Sequence, residues 1–343
     1  MAYTTINKPS DYFNTKLYTG TGSSNSVTGI GFQPDLVWIK NRSGSYWHNL
    51  TDSVRGVTKV LYSHENSAET TTSNYVSSFN TDGFTVSTDS DVNGNGNSIV
   101  AWNWLGANGT ASNTDGSITS TVSANTTNGF SIVSYTGTGA NATVGHGLGS
   151  APKMVITKSR DTTGLDWRTY HASLGATKFV VLNLTDASTT ASNFMNDTEP
   201  TSSVFSLGSG TTPNKSGDNY IAYCFSEVKG FSKFGSYTGN NSNDGTFVYT
   251  GFKPAFVLIK RYDAAASWFM FDSKRDPSNG VTQSLIPNLS NAEGTNTTPP
   301  LDFLSNGFKL RYAHPNFNTG SYIYMAFAEA PLVGSNGVTA KAR

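Results

Sequence analysis

The chain has 343 residues, of which 13% are charged, and its 23 basic and 23 acidic side chains cancel. This balance leaves no basic field to hold a phosphate backbone, which argues against nucleic-acid binding. Plentiful glycine and 12% aromatic residues favour short strands and many turns over helices.

The single cysteine, Cys224, excludes an internal disulfide and suits folding in a reducing cytoplasm. Residues 1–11 contain no apolar stretch typical of a signal peptide, and no run of about 18 apolar residues is present to cross a membrane. The sequence therefore predicts a protein with no membrane span, which would reach the outside of a cell by a route such as host lysis.

A threefold internal repeat is the strongest signal in the chain. Each copy opens with Tyr-Thr-Gly and continues into an apolar segment that begins after a proline and ends at a lysine. The tyrosines lie 117 and 102 residues apart, and the prolines and the lysines both lie 118 and 102 apart: Tyr18, Tyr135, Tyr237, Pro34, Pro152, Pro254, Lys40, Lys158 and Lys260. Constant offsets across these markers indicate one module present three times.

In chain order, module 1 is expected over residues 1–107, with a hairpin at 79–84 around Asp82-Gly83 and a closing apolar strand at 99–104. Residues 108–129 are rich in Gly, Ser, Thr and Asn and predict a linker, in which Ile118 and Val122 supply one edge strand at most. Module 2 is expected over 130–229.

Module 3 is expected over 230–331, joined to module 2 at Lys229-Gly230 without a spacer, and residues 332–343 are expected to form a flexible tail. A proline at the start of a strand costs the sheet no hydrogen bond, because no N–H is needed at that position. Asn-Gly and Asp-Gly pairs form tight turns. The predicted fold is all-β, with three tandem β-sandwich or jelly-roll-like repeat modules, short turns and little helix.

Motifs for catalysis or for a cofactor are missing from the sequence. The histidines form no zinc pattern, and no nucleophile elbow, phosphate loop or dinucleotide fingerprint occurs. Glu227 and Glu329 recur at one module position, which favours a structural hydrogen-bond acceptor over a catalytic carboxylate. We expect a protein that is not an enzyme and that needs no cofactor.

Residues 89–95 resemble a calcium-binding loop, because oxygen-bearing side chains alternate there and glycine stands sixth. The candidate ligands are Asp89, Asp91, Asn93 and Asn95. The twelfth position is Val100 in place of the bidentate glutamate that such a loop requires. We favour a polar hairpin loop and retain calcium binding as the alternative.

An aromatic cluster follows the Pro-to-Lys strand of each module and suggests a glycan-binding surface. Trp47, Trp167 and Trp268 recur once per module, and His48 and His171 each follow an aromatic residue. A solvent-facing ring stacks on a sugar while neighbouring polar groups bond its hydroxyls. We favour the alternative in which each tryptophan anchors its own core and the histidines belong to the shared architecture.

Several segments resemble a family of virion proteins from marine bacteriophages of cyanobacteria and pelagic bacteria. They are residues 35–42, 144–154, 170–175, 234–239 and 247–257, which read DLVWIKNR, VGHGLGSAPKM, YHASLG, FGSYTG and FVYTGFKPAFV. Members are labelled tail fibre, structural or lectin-like proteins, and the resemblance covers nearly the whole chain. It supplies no catalytic residue to carry over.

This resemblance implies a structural protein on the virion surface, in the tail, a fibre or a capsid decoration, made in the host cytoplasm. Expected partners are other virion proteins, further copies of this chain in a homo-oligomer (a trimer, by analogy) and a host-surface glycan. A carbohydrate-binding adhesin is the alternative, and a glycan-degrading enzyme is the third hypothesis.

Overall fold

A computed structural model describes residues 4–333 and residue 339. In module 1, a 3₁₀ turn at Pro9–Asp11 precedes nine strands and one short helix. The strands are β1 (Phe13–Thr19), β2 (Asn25–Thr28), β3 (Leu36–Asn41), β4 (His48–Asp52), β5 (Lys59–Tyr62), β6 (Thr70–Thr71), β7 (Val76–Asn80), β8 (Gly83–Val86) and β9 (Ser98–Trp104), and helix α1 is Ser90–Asn93.

Residues 108–129, expected as a linker with one edge strand, contain β10 (Ala111–Asn113) and β11 (Ser120–Asn125), and both strands join the sheet of module 2. Module 2 continues with β12 (Phe130–Thr136), β13 (Ala142–Gly145), β14 (Met154–Ser159), β15 (Arg168–His171), β16 (Lys178–Val181), β17 (Thr189–Thr190), β18 (Val204–Leu207) and β19 (Asn219–Phe225). Its short helices are α2 (Ser192–Met195) and α3 (Thr211–Asn214).

Module 3 consists of strands in the described residues. They are β20 (Ser232–Thr238), β21 (Phe247–Tyr249), β22 (Phe252–Arg261), β23 (Trp268–Asp272), β24 (Gln283–Ser284), β25 (Gly294–Thr295), β26 (Leu301–Leu304), β27 (Gly307–Leu310) and β28 (Ser321–Pro331). The prediction of an all-β chain is confirmed. The expected tail, residues 332–343, lies mostly outside the described residues.

Each module is a sandwich of two antiparallel sheets whose common strands follow one order, and in module 3 the pair β24-β25 forms a small separate sheet. We call the larger one the main sheet: β1-β9-β3-β4-β5-β6 in module 1, β12-β19-β14-β15-β16-β17 within the sheet of module 2, and β20-β28-β22-β23 in module 3. The smaller, outer sheets are β2-β8-β7, β13-β18 and β21-β27-β26. The repeat seen in the sequence is thus a repeat of topology.

The register shows that the repeat markers occupy equivalent places. Two residues after each proline, an apolar side chain pairs with the last aromatic residue of the closing strand: Leu36 with Trp104, Met154 with Phe225 and Phe256 with Phe327. Pro34 and Pro152 precede their strands, and Pro254 lies at a register shift inside β22. A proline is tolerated at both kinds of site because no ladder hydrogen bond is lost.

Both faces of each main sheet are covered. In β3, Val37 and Ile39 point into the sandwich core of module 1, whereas Leu36 and Trp38 point into a second core. Modules 2 and 3 contribute to that same second core, which we call the central core. This double burial explains why the closing strands read as continuous apolar runs, without the alternation of a half-exposed strand.

Three aromatic rings, one from each module, meet in the central core. The ring centroids of Trp104, Phe225 and Phe327 lie 6.3, 5.8 and 6.1 Å apart around the triangle. These spacings lie in the range of favourable aromatic pairs. The three modules therefore surround one pseudo-threefold axis and share one apolar centre.

Candidate functional site

The tryptophans predicted as glycan ligands differ in where they lie. Trp167 and Trp268 are buried, and their indole nitrogens donate to backbone carbonyls of the preceding module, at Tyr62 (2.8 Å) and Val181 (2.9 Å). Trp47 is 39% exposed. Of the three rings, only Trp47 presents itself to solvent.

Strand pairing shows that Trp47 is not the equivalent of the other two. Trp268 lies opposite Lys260, and the residue opposite Lys40 is His48. Trp47 instead corresponds to Asp166 and Ser267. The expected equivalence was therefore wrong by one residue, which on a strand turns a side chain to the other face.

His48 and His171 both follow an aromatic residue and were expected at comparable module positions, but the strand pairing places them four positions apart. His48 is buried with its Nδ1 accepting from the Trp38 indole at 3.2 Å. His171 pairs opposite Met154, the place that Asp52 and Asp272 hold in the other modules. Both histidines therefore lie inside the protein, at the interfaces between modules.

Residues at equivalent positions meet at the three interfaces in cyclic order, with the same kind of hydrogen bond at two of them. Tyr223 of module 2 donates to Asp52 of module 1 at 2.8 Å, and Trp102 of module 1 donates to Asp272 of module 3 at 3.1 Å. At the third interface, Met325 takes the place of Tyr223 and Trp102, and its side chain has no N–H or O–H to donate. There His171 replaces the aspartate and bonds the Tyr324 carbonyl at 3.1 Å.

Buried ion pairs reinforce two of these interfaces. Arg160 of module 2 bonds Glu69 of module 1 at 2.9 Å, and Glu69 in turn bonds Arg55, which pairs with Asp52. The same four-residue arrangement recurs between modules 1 and 3, as Arg42, Glu293, Arg275 and Asp272. At the interface of modules 3 and 2 the equivalents are Tyr262, Ser188, Leu174 and His171, so the whole network is replaced together.

Three buried lysines complete the cyclic pattern. The Nζ atoms of Lys40, Lys158 and Lys260 donate to carbonyls of the neighbouring module at Ser290 (3.1 Å), Asn66 (3.3 Å) and Thr185 (2.8 Å). Burial lowers the pKa of each lysine to about 8. Sequence reasoning used these lysines as markers and missed their role in joining the modules.

The exposed Trp47 ring belongs to a polar and aromatic surface that module 1 alone carries, which we call the Trp47 surface. The ring centroid lies 4.7 Å from that of Tyr62 and 5.6 Å from that of His64. The Asp91 carboxylate accepts from the Trp47 backbone N–H at 3.2 Å and from the Tyr75 hydroxyl at 3.1 Å. The ring is therefore held in place while one part stays open to solvent.

Titratable groups of the Trp47 surface are shifted towards their neutral forms. Burial raises the pKa of Asp91, with the nearby Asp89 charge acting in the same direction, and burial also lowers the pKa of His64. Both ring nitrogens of His64 are buried without a hydrogen-bond partner in the described structure. His64 takes the place of Asn183 and Asn288, whose amide oxygens accept from the Trp167 and Trp268 backbone.

Three of the four candidate calcium ligands, Asp89, Asp91 and Asn93, accept hydrogen bonds within module 1. Asp89 caps helix α1 by accepting from the Asp91 N–H at 2.8 Å. The Asn93 amide is buried and accepts from the Thr21 N–H at 2.9 Å, and Asn214 and Asn318 do the same in modules 2 and 3. Asn95 packs beside Gly22. Calcium binding by this loop stays a prediction.

Two further exposed aromatic residues, Phe247 and Tyr249, were missed from the sequence. They are 44% and 53% exposed and flank the buried Val248 on strand β21. The signal was present as an aromatic–Val–aromatic alternation, in which the central valine faces the core. At the equivalent positions modules 1 and 2 carry Ser26 and Thr28, and Thr143 and Gly145.

Within residues 4–333 and 339, no cluster of three or more His, Cys, Asp or Glu side chains has the arrangement of a metal site. Over the same part of the chain, no helix is long and apolar enough to cross a membrane.

The sheets and the cyclic interfaces define a β-sandwich repeat protein in which three modules share one core. Residues 8–331 match the model of a family described as Domain of unknown function (DUF7483). The chain belongs to this family, since the match covers nearly all of it. No curated protein and no solved structure matches the chain.

Proposed function

We propose that the chain is a bacteriophage virion structural protein, a tail or fibre component or a capsid-surface decoration. The observation that carries the proposal is the closed ring of three modules. Ionisable side chains that are buried, such as Asp52, Arg55 and His171, are used to join modules, and three outer sheets are left facing outwards. Such a body acts through its surface in particle assembly and host contact, without catalysis.

The resemblance of the sequence to marine phage virion proteins supports the same proposal. Outward-facing sheets on a pseudo-threefold body suit a partner with threefold symmetry, because three similar surfaces meet three similar sites. The net charge of zero leaves little electrostatic repulsion against packing into an assembly.

The test is the location of the chain in purified phage particles. An antibody against the recombinant protein should label intact particles in immunogold micrographs, and cryo-electron microscopy should show a three-lobed density of matching size. Recovery of the protein only from the unassembled fraction of a lysate would contradict a virion role.

A carbohydrate-binding adhesin is the second candidate, and the Trp47 surface favours it. The exposed Trp47 indole packs beside Tyr62 and His64, and the Asp91 carboxylate bonds the Trp47 backbone N–H, so the surface offers a stacking face with polar groups nearby. Trp47 replaces the aspartate and the serine of the other modules, so the shared fold does not require a tryptophan there.

An array of marine bacterial polysaccharides tests the adhesin. Retention of the protein on one glycan should be lost in Trp47→Ala and kept in Leu289→Ala, a matched change at another exposed apolar residue. Equal retention by both variants would remove the Trp47 surface from consideration, and release of reducing ends would instead favour a glycan-degrading enzyme.

A further inference from the structure

Over the part of the chain that the structure describes, strand β21 is an open edge of the module 3 outer sheet. Hydrogen bonds from Leu310 N–H to the Thr246 carbonyl and from Thr250 N–H to the Asn306 carbonyl, both 3.0 Å, fix the register with β27. In an antiparallel ladder, the intervening residues Phe247 and Tyr249 then direct their N–H and C=O groups away from β27. The edge therefore presents two residues' backbone groups beside two exposed aromatic rings.

The equivalent edge of module 2 is covered by the chain itself. Strand β13 pairs Val144 with Phe205, as β21 pairs Val248 with Phe308, so Thr143 and Gly145 are the equivalents of Phe247 and Tyr249. Residues 117–120 lie along that edge.

This cover is held by backbone and hydroxyl contacts. The Ile118 N–H donates to the Thr143 carbonyl at 3.0 Å, the Thr143 N–H donates to Ser117 Oγ at 2.9 Å, and Ser120 Oγ donates to the Gly145 carbonyl at 2.7 Å. Ile118 and Val144 form a parallel bridge, and the Ile118 side chain joins the core of module 2. The fold thus shows which kind of segment this edge accepts.

In residues 4–333 and 339, no such cover lies along β21, and the chain passes from module 2 to module 3 at Lys229-Gly230 with no counterpart of residues 108–129. Proteins usually protect an open edge with charges, proline or a bulge. Strand β21 instead carries Phe247 and Tyr249, which add apolar area at the edge.

We propose that the β21 edge binds an extended segment of a partner protein, which runs parallel to β21 as residues 117–120 run along β13. The segment has one β-branched apolar residue between serines or threonines, the pattern of Ser117-Ile118-Thr119-Ser120. Addition of a strand gives affinity through backbone hydrogen bonds, and the two aromatic rings add apolar contact. This inference rests on the proposed assembly role. It identifies β21 as the surface that takes part in assembly and a Ser/Thr-flanked β-branched segment as its partner.

The probe is a labelled synthetic peptide of residues 114–122, TDGSITSTV, added to the full chain and followed by fluorescence anisotropy. Its own site on β13 is occupied within the chain, which leaves the equivalent edges β2 and β21, and the exposed rings of Phe247 and Tyr249 favour β21. We expect saturable binding that a peptide of scrambled sequence does not show.

The decisive variant is Tyr249→Pro, which removes an outward N–H without taking a hydrogen bond from the sheet. Edge strands tolerate proline at such a position, so the variant should fold, as circular dichroism will show. We expect peptide affinity to fall by about tenfold or more, because a backbone hydrogen bond and an aromatic contact are both lost. Thr28→Pro, at the matching position of module 1, should bind as the wild type does.

Three outcomes would overturn the inference. The wild type fails to bind the peptide, or Tyr249→Pro binds it unchanged, or Thr28→Pro loses binding in its place. Self-association abolished by Tyr249→Pro would make the occupant a second copy of this chain, and glycan retention abolished by it would make the occupant a saccharide. Absence of the protein from virions would overturn the proposed function and leave the peptide result intact.

Discussion

Lys40, Lys158 and Lys260 hold their ammonium groups inside the protein, mainly against backbone carbonyls. Carbonyl dipoles satisfy the N–H groups but do not neutralise the charge, so burial disfavours the charged form. This is why the pKa of each lysine falls from 10.5 to about 8.

The lysines predict that stability rises with pH between about 8 and 10. Below pH 8 both the folded and the unfolded chain are protonated at these sites, whereas between pH 8 and 10.5 the unfolded chain binds more protons. Above pH 10 the buried tyrosines reverse the trend, since burial raises the pKa of Tyr135 and Tyr237 and the unfolded chain ionises first. Urea midpoints at pH 7.5, 8.5 and 9.5 should therefore increase.

Single replacements test whether the buried lysines cause this rise of stability with pH. Lys158→Met should flatten the rise between pH 8 and 10, because one of the three titrating groups is gone. Lys8→Met, at an exposed site, should leave the slope as it is. A midpoint that falls steadily from pH 7.5 to 9.5 would show that the buried lysines are not protonated as described.

His171 predicts how the stability of the fold decreases in acid. Burial lowers its pKa from 6.5 to about 4, against the opposing effect of the Tyr324 carbonyl. The unfolded chain therefore binds the proton first, and stability should fall as the pH drops from about 6.5 towards 4. His171→Gln, which keeps an N–H donor, should show a shallower loss in urea midpoint over that range. A uniform drop at every pH would indicate a packing role alone.

At the scale of strands, the sequence was sufficient to place the apolar runs and their turns. The proline, tyrosine and lysine spacings located β3, β14 and β22 and the closing strands, because β-branched residues and bounding turns are local signals. The alignment of Trp47 with Trp167 was wrong since an offset of one residue is small in sequence but reverses the face of a strand.

The apolar runs in the sequence did not predict that the three modules share one core. A fully apolar strand such as β9 signals burial on both faces but does not identify the covering element. The interfaces depend on pairs far apart in the chain, such as Arg160 with Glu69, and a single sequence holds no signal that joins them.

The buried ion network between strands β4 and β14 predicts a large effect from one replacement. Arg55→Met should destabilise the protein by about 3–5 kcal/mol, because the Asp52 and Glu69 carboxylates would stay at the interface without their shared partner. Arg261→Met, which breaks the more exposed pair with Asp263, should cost about 0–1 kcal/mol. Denaturant titrations of the two variants give the comparison, and equal costs would contradict a buried network.

For the whole molecule, the central core predicts that the three modules unfold together. Phe225 of module 2 touches the rings of Trp104 and Phe327, so no module can leave without exposing the other two. Calorimetry should show one transition. Phe225→Ala should destabilise the chain by about 3–5 kcal/mol and shift that transition as a unit.

Amide hydrogen exchange tests the same claim by region. In Phe225→Ala, protection should fall by a similar factor in β3, β14 and β22 if unfolding is global. A loss confined to module 2, or a calorimetric trace that splits into two peaks, would show that the modules are energetically independent.

Covalent fusion of the three modules has an evolutionary consequence. In a ring of identical subunits, any substitution appears at all three positions at once, so a change useful at one sector burdens the other two. Here each sector can mutate alone, and the three differ: the first carries an exposed indole, the second a covering segment and the third an aromatic edge. Selection can thus change one rim position without changing its counterparts in the other two modules.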